Sequence, residues 1–258
     1  MKKILLFLSL VILSVGCHPD GIWEDASYSV ENLVEPMVEP IVITSTIKNG
    51  LIAWYPFNGN ANDESGNGNT GNIIGAGLTS NRLGKSNSAY LFSNSISTNL
   101  KRIEISMNTT SVTNGLSIVW WIKRNGDGYI SPRAFEFWPG SESEGKFVSG
   151  VRNNEDTLWF DHHLAGGSIS FSLPYSTSNE WAHYVYTVGN GEAKIYINGQ
   201  LHDKQAINTT SIKLGDKVAL GRMNHPLYDA FNGILDDIAV YNRVITQEEI
   251  NYYYNYQD

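Results

Sequence analysis

Short apolar segments alternate with polar clusters from Leu51 to the end of the chain. The apolar segments are rich in aromatic and β-branched residues, and clusters of Gly, Asn, Asp and Ser separate them. This pattern is typical of an all-β sandwich or jelly roll built from short strands. The strands predicted most clearly are Leu51 to Phe57, Ala89 to Phe92, Leu116 to Lys123, Leu158 to His162, Trp181 to Val188, Ala193 to Asn198 and Ile234 to Tyr241.

Two local signals are sharper than the rest. The alternation in residues 193–197 runs into Asn198-Gly199, a dipeptide that tolerates the positive φ angles of a type I′ hairpin turn. Near the C-terminus, Thr246 is followed three residues later by Glu249, which is the spacing of a capping box. We therefore predict a hairpin at Asn198-Gly199 and a single short C-terminal helix that presents Ile250, Tyr253 and Tyr254 on one face.

The N-terminus has the pattern of an export signal. Lys2 and Lys3 precede an apolar run from Ile4 to Val15, which is too short to span a bilayer. The run ends in Ser14-Val15-Gly16-Cys17, which resembles the lipobox that bacterial lipoprotein signal peptidase cuts, although Leu13 lies one position further from the cysteine than is usual. Residues 1–16 are therefore predicted to be a lipoprotein signal peptide. The alternative is an ordinary signal peptide that is cleaved elsewhere.

Cys17 is the only cysteine in the chain, so the exported part is expected to contain no disulfide. Lipidation at Cys17 would explain this lone thiol and would anchor the protein stably, since each buried acyl CH₂ contributes about 0.8 kcal/mol. The predicted location is the cell envelope, with the protein lipid-anchored in the outer membrane; exposure at the cell surface and a periplasmic position are both left open.

Residues 17–47 are predicted to form an acidic tether. They contain the near-repeat Val34-Glu35-Pro36 and Val38-Glu39-Pro40, in which each proline disfavours helix. The apolar residues of 38–43 leave an alternative open, in which this stretch adds a strand to the sandwich. Cleavage would remove two lysines and change the net charge from -8 to -10. Nucleic acid is therefore not expected as a partner, because an acidic surface repels phosphate.

Six segments in order resemble bacterial laminin G-like domains of the concanavalin A-like kind. They are the opening run Gly50 to Asn69, the strand Leu116 to Lys123, Trp181-Ala182-His183-Tyr184-Val185, Ile195 to Gly199, Gly221-Arg222, and Gly233 to Arg243. The resemblance covers about residues 49–256 and implies a two-sheet antiparallel jelly-roll sandwich over residues 48–258. It also implies binding of glycans or proteins, and one structural calcium ion.

The calcium ion has a physical rationale of its own. The loop from Asn58 to Asn69 is dense in oxygen atoms, and its glycines let carbonyl groups converge on a hard cation. Asp236 shares strand parity with Ile238 and Val240, so its carboxylate is expected to point toward the core and to need compensation. We predict a Ca²⁺ ion shared by Asp63 and Asp236, with Asn58 and Asn67 as weaker ligands. In the alternative, Asp236 accepts backbone N–H bonds from the loop without a metal. Asp237, which has the opposite parity, is expected to be solvated.

No catalytic array is recognisable in the sequence. Retaining glucanases of related fold place paired carboxylates on one strand in a Glu-x-Asp-x-Glu-like array, which is absent here. Three glutamates, Glu136, Glu142 and Glu144, flank Trp138 and Pro139 but straddle a Gly-Ser loop, and Asp236 and Asp237 are expected to point to opposite faces. We therefore predict a protein that is not an enzyme.

A sugar-binding site needs an exposed aromatic ring with polar groups around it. Four tryptophans lie in predicted strands and are expected to pack structurally. The candidate ligand-binding residues lie instead in the variable middle of the chain and in a late loop: Trp138, Trp159, Arg133, Arg152, His162 and Tyr228. The sequence therefore favours a carbohydrate-binding lipoprotein. The alternatives are a protein-binding adhesion module and, less favoured, a cryptic glycoside hydrolase.

Overall fold

A computed structural model describes residues 46–93, 101–125, 133–140, 144–151, 157–174, 179–221 and 231–256. All of these belong to one compact unit, Glu39–Asp258. The predicted signal peptide, Cys17 and all of the predicted tether except residues 46 and 47 lie outside the described residues. No helix in the described part of the chain is long and apolar enough to cross a membrane.

The described chain is an antiparallel β-structure with a C-terminal helix, α1 (Gln247–Asn255), and a helical turn at residues 46–48. The strands are β1 (Leu51–Tyr55), β2 (Asn72–Ile74), β3 (Gly77–Thr79), β4 (Ala89–Ser93), β5 (Arg102–Ser106), β6 (Gly115–Arg124), β7 (Arg133–Trp138), β8 (Phe147–Val151), β9 (Thr157–Leu164), β10 (Gly167–Pro174), β11 (Trp181–Gly189), β12 (Glu192–Ile197), β13 (Gln200–Ala206), β14 (Lys217–Leu220) and β15 (Asn232–Tyr241).

The strands form two sheets. The eight-stranded sheet has the order β13-β12-β11-β6-β15-β4-β3, and β1 also pairs with β15. The seven-stranded sheet has the order β10-β9-β8-β7-β14-β5-β2. Neighbouring strands in both sheets are antiparallel, which confirms the predicted two-sheet antiparallel sandwich.

The main core lies between the sheets and is rich in aromatic side chains. Trp120 of β6 is fully buried there, with its ring centroid 5.1 Å from that of Phe135 and 5.2 Å from that of Phe160. Its neighbour Trp121 points to the other face, because successive side chains of a strand alternate. The strand thus builds the core with one tryptophan and the outer surface with the next.

Helix α1 covers part of the outer face of the eight-stranded sheet. Ile250 and Tyr253 pack there against Tyr241 of β15, and Ile47 packs against the same cluster. The predicted capping box is present. The backbone N–H of Glu249 donates a hydrogen bond to Thr246 Oγ1, and the backbone N–H of Thr246 donates one to Glu249 Oε2. The predicted turn at Asn198-Gly199 is also confirmed, with φ angles of 49° and 80°.

One expectation about β15 is wrong. The register of β15 against β6 shifts between Asp236 and Ala239, and Asp237 has a φ of 44°. This bulge inserts one extra residue and reverses the side-chain parity beyond it. Ile238 therefore faces the main core, whereas Asp236 lies opposite Trp121 on the outer face. Asp237 is buried, not solvated as predicted.

Candidate functional site

The outer face of the seven-stranded sheet carries a continuous row of paired side chains. Register places Glu136 of β7 opposite Ala219 of β14, and Ala219 opposite Glu104 of β5. The alternate residues of these strands, such as Phe135 and Val218, fill the main core. From β2 to β10 the row reads Asn72, Glu104, Ala219, Glu136, Val148, Asp161 and Ser170.

A cavity of about 580 Å³ opens on this face, and we call it the outer-face cavity. Its size is within the range of small-molecule sites. Ala219 has a short side chain and lies between two glutamates, so it leaves a gap between them. The cavity is lined by Gly68, Thr70, Asn72, Glu104, Ile105, Ser106, Glu136, Trp138, Lys217, Val218 and Ala219.

Trp138 is the aromatic wall of the cavity. It is the last residue of β7, and 42% of its surface is exposed although it is a large apolar residue. The loop after β13 passes directly over its backbone, where a Cβ on Gly215 would lie 2.4 Å from the Trp138 carbonyl carbon. Only glycine allows that approach, and the packed loop holds the backbone of Trp138 in place.

The charged floor of the cavity is centred on Glu136. Its side chain is 2% exposed and lies 3.2 Å from Lys146 Nζ and 3.7 Å from Arg133 Nη1. The Arg133 guanidinium in turn lies 5.5 Å from the centroid of the Trp159 ring. Removal of either partner of such a buried ion pair is strongly destabilising. The floor is therefore a pre-ordered set of charges beside an exposed indole.

Three of the predicted ligand-binding residues lie on this face. Trp138 lines the cavity, while Arg133 lies over the Trp159 ring and 3.7 Å from Glu136, outside the cavity lining. His162 was predicted for the same site, but it points into the core. Its ring nitrogens lie 3.0 Å from Tyr186 Oη and 2.8 Å from the Lys213 carbonyl oxygen. Arg152 and Tyr228 lie outside the described residues.

Sequence reasoning missed Glu136, Glu104 and Lys217 as lining residues of a binding site. The signal for Glu136 was present in Arg133-Ala134-Phe135-Glu136-Phe137-Trp138, where Phe135 and Phe137 occupy the core face and the glutamate must face outward. Glu104 and Lys217 join it only through strand pairing. Such pairing between distant segments is not encoded in local periodicity.

The loop predicted to bind calcium has a different set of contacts. Asp63 Oδ1 accepts the N–H groups of Trp54 and Ser65, and Oδ2 accepts the backbone and side-chain N–H groups of Asn69, all within 3.2 Å. A carboxylate has about four acceptor positions, so all of those of Asp63 are used. Asn67 Nδ2 donates to the carbonyl groups of Leu51 and Ile52 over 2.9 Å.

The second predicted calcium ligand is engaged elsewhere. Asp236 Oδ2 accepts a hydrogen bond from Arg82 over 3.1 Å, and its Oδ1 accepts the Asp237 N–H over 2.9 Å. Asn58 is exposed. The described residues contain no cluster of three or more His, Cys, Asp or Glu side chains placed to hold a metal. The donor set as placed does not fit one ion shared by Asp63 and Asp236, and calcium binding stays a prediction.

Comparison with known proteins identifies the family. The family model of the concanavalin A-like lectin/glucanases superfamily, in its laminin G form, matches residues 98–251, more than half of the chain. The chain belongs to this superfamily. The family assignment made from the sequence is thus confirmed. No curated protein matches the chain.

Solved structures with the same fold include receptor-binding domains of botulinum neurotoxins. The serotype D domain in complex with N-acetylneuraminic acid has a TM-score of 0.66 at 19% identity over 82% of this chain and 52% of that one. A structure of botulinum neurotoxin type C, whose cell entry is described as dependent on interaction with two ganglioside molecules, has a TM-score of 0.65 at 18% identity, with the same coverage. The DC binding domain in complex with rat synaptotagmin II has a TM-score of 0.65 at 16% identity, covering 81% and 52%.

These structural similarities establish the fold alone. This superfamily member spans about half the length of the neurotoxin chains it matches. The serotype D and DC structures are described as binding domains, and the superfamily also contains glucanases.

Proposed function

We propose that this protein is a non-catalytic lipoprotein of the cell envelope that binds carbohydrate in the outer-face cavity. The observation that carries the proposal is Trp138, an exposed indole at the wall of a cavity whose floor holds buried charge. The apolar face of a sugar ring can stack on an indole, while its hydroxyl groups bond the polar groups around it.

The cavity offers both donors and acceptors for sugar hydroxyl groups. Glu104 and Glu136 supply carboxylate oxygens, and Lys217 supplies an ammonium group on the strand between them. Hydrogen bonds to charged groups are stronger than those between neutral groups. Glu136 is held between two cations, so a ligand meets an acceptor that is already ordered and loses little entropy on binding.

The envelope location rests on the sequence. The apolar run from Ile4 to Val15 and the small residues before Cys17 support cleavage and lipidation at that cysteine. The residues from 17 to 47 would then separate the sandwich from an outer-membrane anchor. A polysaccharide-binding domain at that position would retain glycan close to the cell.

The second candidate is a protein partner that adds a strand to a sheet edge. Strand β13 ends the eight-stranded sheet and is exposed along most of its length. It carries Asp203 and Lys204 and a register irregularity against β12, features that disfavour pairing with another strand. The edge is therefore protected, and the outer-face cavity is the better candidate.

Catalysis receives less support from the same cavity. Glu104 lies on β5 and Glu136 on β7, the two strands that flank β14. Their backbones are therefore about 10 Å apart, twice the spacing of neighbouring strands. Each is paired with a cation, Glu104 with Arg102 at 2.6 Å and Glu136 with Lys146 at 3.2 Å. A retaining glycosidase needs its two carboxyl groups only about 5–5.5 Å apart, and a carboxylate held by a cation is not free to approach a second one.

The test is a glycan array probed with residues 18–258, with Trp138→Ala as the site variant and Trp138→Phe as the variant that keeps an aromatic ring. Saturable binding that Trp138→Ala weakens at least tenfold and Trp138→Phe largely retains would support the proposal. Binding that is indifferent to both changes would reject this cavity. Release of new reducing ends from a bound polysaccharide would favour the hydrolase.

A further inference from the structure

A second cavity lies on the opposite side of the sandwich, on the outer face of the eight-stranded sheet. It has a volume of about 340 Å³, and we call it the aromatic cleft. Four aromatic rings line it, those of Trp121, Trp181, Tyr254 and Tyr256. The rest of the lining is Arg82, Leu83 and Asn255.

The rings of the aromatic cleft are ordered by their contacts. The Tyr254 ring stacks on Trp121 at a centroid distance of 5.8 Å and an angle of 11°. Arg82 lies over the Trp121 ring at 4.7 Å. The cleft also contains exposed apolar surface, since Leu83 is 46% exposed and Tyr254 39% exposed. Rings that are already ordered and partly exposed offer a stacking surface at low entropic cost.

The charges below the cleft favour an uncharged ligand. Arg82 bonds the carboxylates of both Asp236 and Asp237, and its other guanidinium nitrogen bonds the Tyr256 carbonyl group. All three charged side chains are nearly buried. Among the described residues that line the cleft, Arg82 is the only cation, and these bonds already engage it, so a phosphate, sulfate or carboxylate group of a ligand would lack a cation to bind.

Polar groups without a hydrogen-bond partner lie in the lining of the cleft, at Trp121, and directly behind it, at His183. Among the described residues, none accepts a hydrogen bond from Trp121 Nε1, and none bonds either ring nitrogen of His183, whose ring lies 5.0 Å from that of Trp121. Both side chains are more than nine-tenths buried. Each such group costs about 1–3 kcal/mol, and violations of this kind concentrate at functional sites.

We propose that the aromatic cleft is a second carbohydrate site that takes a neutral saccharide. Its aromatic faces fit the apolar face of a sugar ring, and the hydroxyl groups of Tyr254 and Tyr256 and the amide of Asn255 fit the hydroxyl rim. The site is independent of the outer-face cavity, because the two lie on opposite sheets. Two sites on one anchored domain would bind a polysaccharide with higher avidity than either alone.

A peptide is a poorer fit to this cleft. Peptides that bind sheets commonly use main-chain bonds to a free edge. Trp121 lies on β6, whose backbone is paired with β11 on one side and with β15 on the other. The cleft therefore recognises its ligand through side chains alone. A proline-rich peptide, which can dock on aromatic grooves, is the remaining competitor and is included in the test.

The experiment compares five proteins made as residues 18–258: the unaltered chain, Tyr254→Ala, Tyr254→Phe, Trp138→Ala and the double variant of Trp138→Ala with Tyr254→Ala. The probes are an array of neutral and acidic oligosaccharides, and decaproline. Tyr254→Phe is the matched control, because it keeps the ring and removes only the hydroxyl group. Circular dichroism melts confirm that each variant is folded.

We expect Trp138→Ala to retain saturable binding to a neutral oligosaccharide. The double variant, which adds Tyr254→Ala, should bind that oligosaccharide about tenfold more weakly. Tyr254→Phe should weaken this binding much less, and acidic oligosaccharides should not bind at this site. If Trp138→Ala loses all binding and Tyr254→Ala binds as well as the unaltered chain, the second site is overturned while the proposed function stands. The converse would support the second site and reject the outer-face cavity. Binding of decaproline that depends on Tyr254, or no binding of any neutral glycan to the unaltered chain, would also overturn the inference.

Discussion

Trp54 donates its backbone N–H to Asp63 Oδ1 over 3.0 Å, and its carbonyl group accepts the Glu64 N–H over 2.8 Å. The loop after β1 therefore satisfies backbone groups of this strand that β15 does not. Asn67 and Asn69 donate to the Ile52 carbonyl group in the same way. An unpaired strand edge invites pairing with other chains, and here side chains of the loop cover it.

Asp63→Ala is expected to destabilise the fold by about 2–3 kcal/mol, because it leaves partly buried N–H groups without their charged acceptor. Urea unfolding followed by tryptophan fluorescence measures the change. Glu64→Ala is the matched control on the same loop, since Glu64 is exposed and should change the stability by less than about 0.5 kcal/mol. Equal effects of the two substitutions would contradict the role of Asp63.

The calcium prediction is tested on the same protein. If a calcium ion contributes to the loop, EGTA should lower the melting temperature of the unaltered chain, and elemental analysis should find calcium. An unchanged melt with no calcium would reject the calcium prediction and leave the loop held by its hydrogen bonds to Asp63 and to the carbonyl groups of β1.

The fold is expected to lose stability as the pH falls below about 6.5. Burial lowers the pKa of His162 to about 4 and that of His183 to about 3. In this window the unfolded chain binds protons that the folded chain does not, so the free energy of unfolding falls as the pH decreases. The expected slope is about 1.4 kcal/mol per pH unit for each histidine.

Unfolding free energies measured between pH 5 and 6.5 test this prediction. His162→Gln should reduce the slope by roughly half, because only His183 then contributes. The slope is the readout, since the substitution also alters the contacts to Tyr186 and Lys213 and lowers stability at every pH. An unaltered slope in His162→Gln would show that His162 is not buried as a neutral group.

Arg82→Met is expected to destabilise the protein by about 3–5 kcal/mol, because it leaves two buried carboxylates without their cation. Chemical denaturation measures the loss. Addition of Asp237→Asn to Arg82→Met should recover part of it, since one uncompensated charge is removed. Strict additivity of the two substitutions would argue against direct coupling between them.

Glu136→Gln is expected to weaken glycan binding by tenfold or more, because a charged acceptor for sugar hydroxyl groups becomes neutral. Binding curves on the best glycan of the array measure the effect. Circular dichroism melts show that the variant is folded at the assay temperature, because the substitution also removes one partner of the buried ion pairs with Lys146 and Arg133. Asp161→Asn is the control, since Asp161 lies in the same row of the sheet but does not line the cavity. A similar loss in both variants would indicate a general effect of charge.

Much of the fold follows from local sequence. Alternating apolar residues predicted the strand containing Trp181 and the strand containing Ile195, and both are present. The hairpin at Asn198 and the cap at Thr246 depend on the conformational preferences of a few neighbouring residues, so they could be predicted without a structure. Trp138 was also recognised, because it falls outside the strands that resemble the family.

The site could be predicted only in part. Trp138 and Glu136 share a strand, and their common face follows from a period of two. Glu104 and Lys217 join them through pairing of segments that are distant along the chain, and no local pattern contains that register. The core position of His162 likewise depends on its bonds to Tyr186 and Lys213.

By itself, the sequence determined the all-β architecture, the turn at Asn198 and the capped helix, because each depends on residues that are close along the chain. The tertiary structure alone decided the faces of Asp236 and Asp237. A bulge in β15 reverses the side-chain parity, and its position depends on pairing with β6 and on the charge of Arg82. The partners of a buried charge come from distant segments, so only the folded chain assigns them.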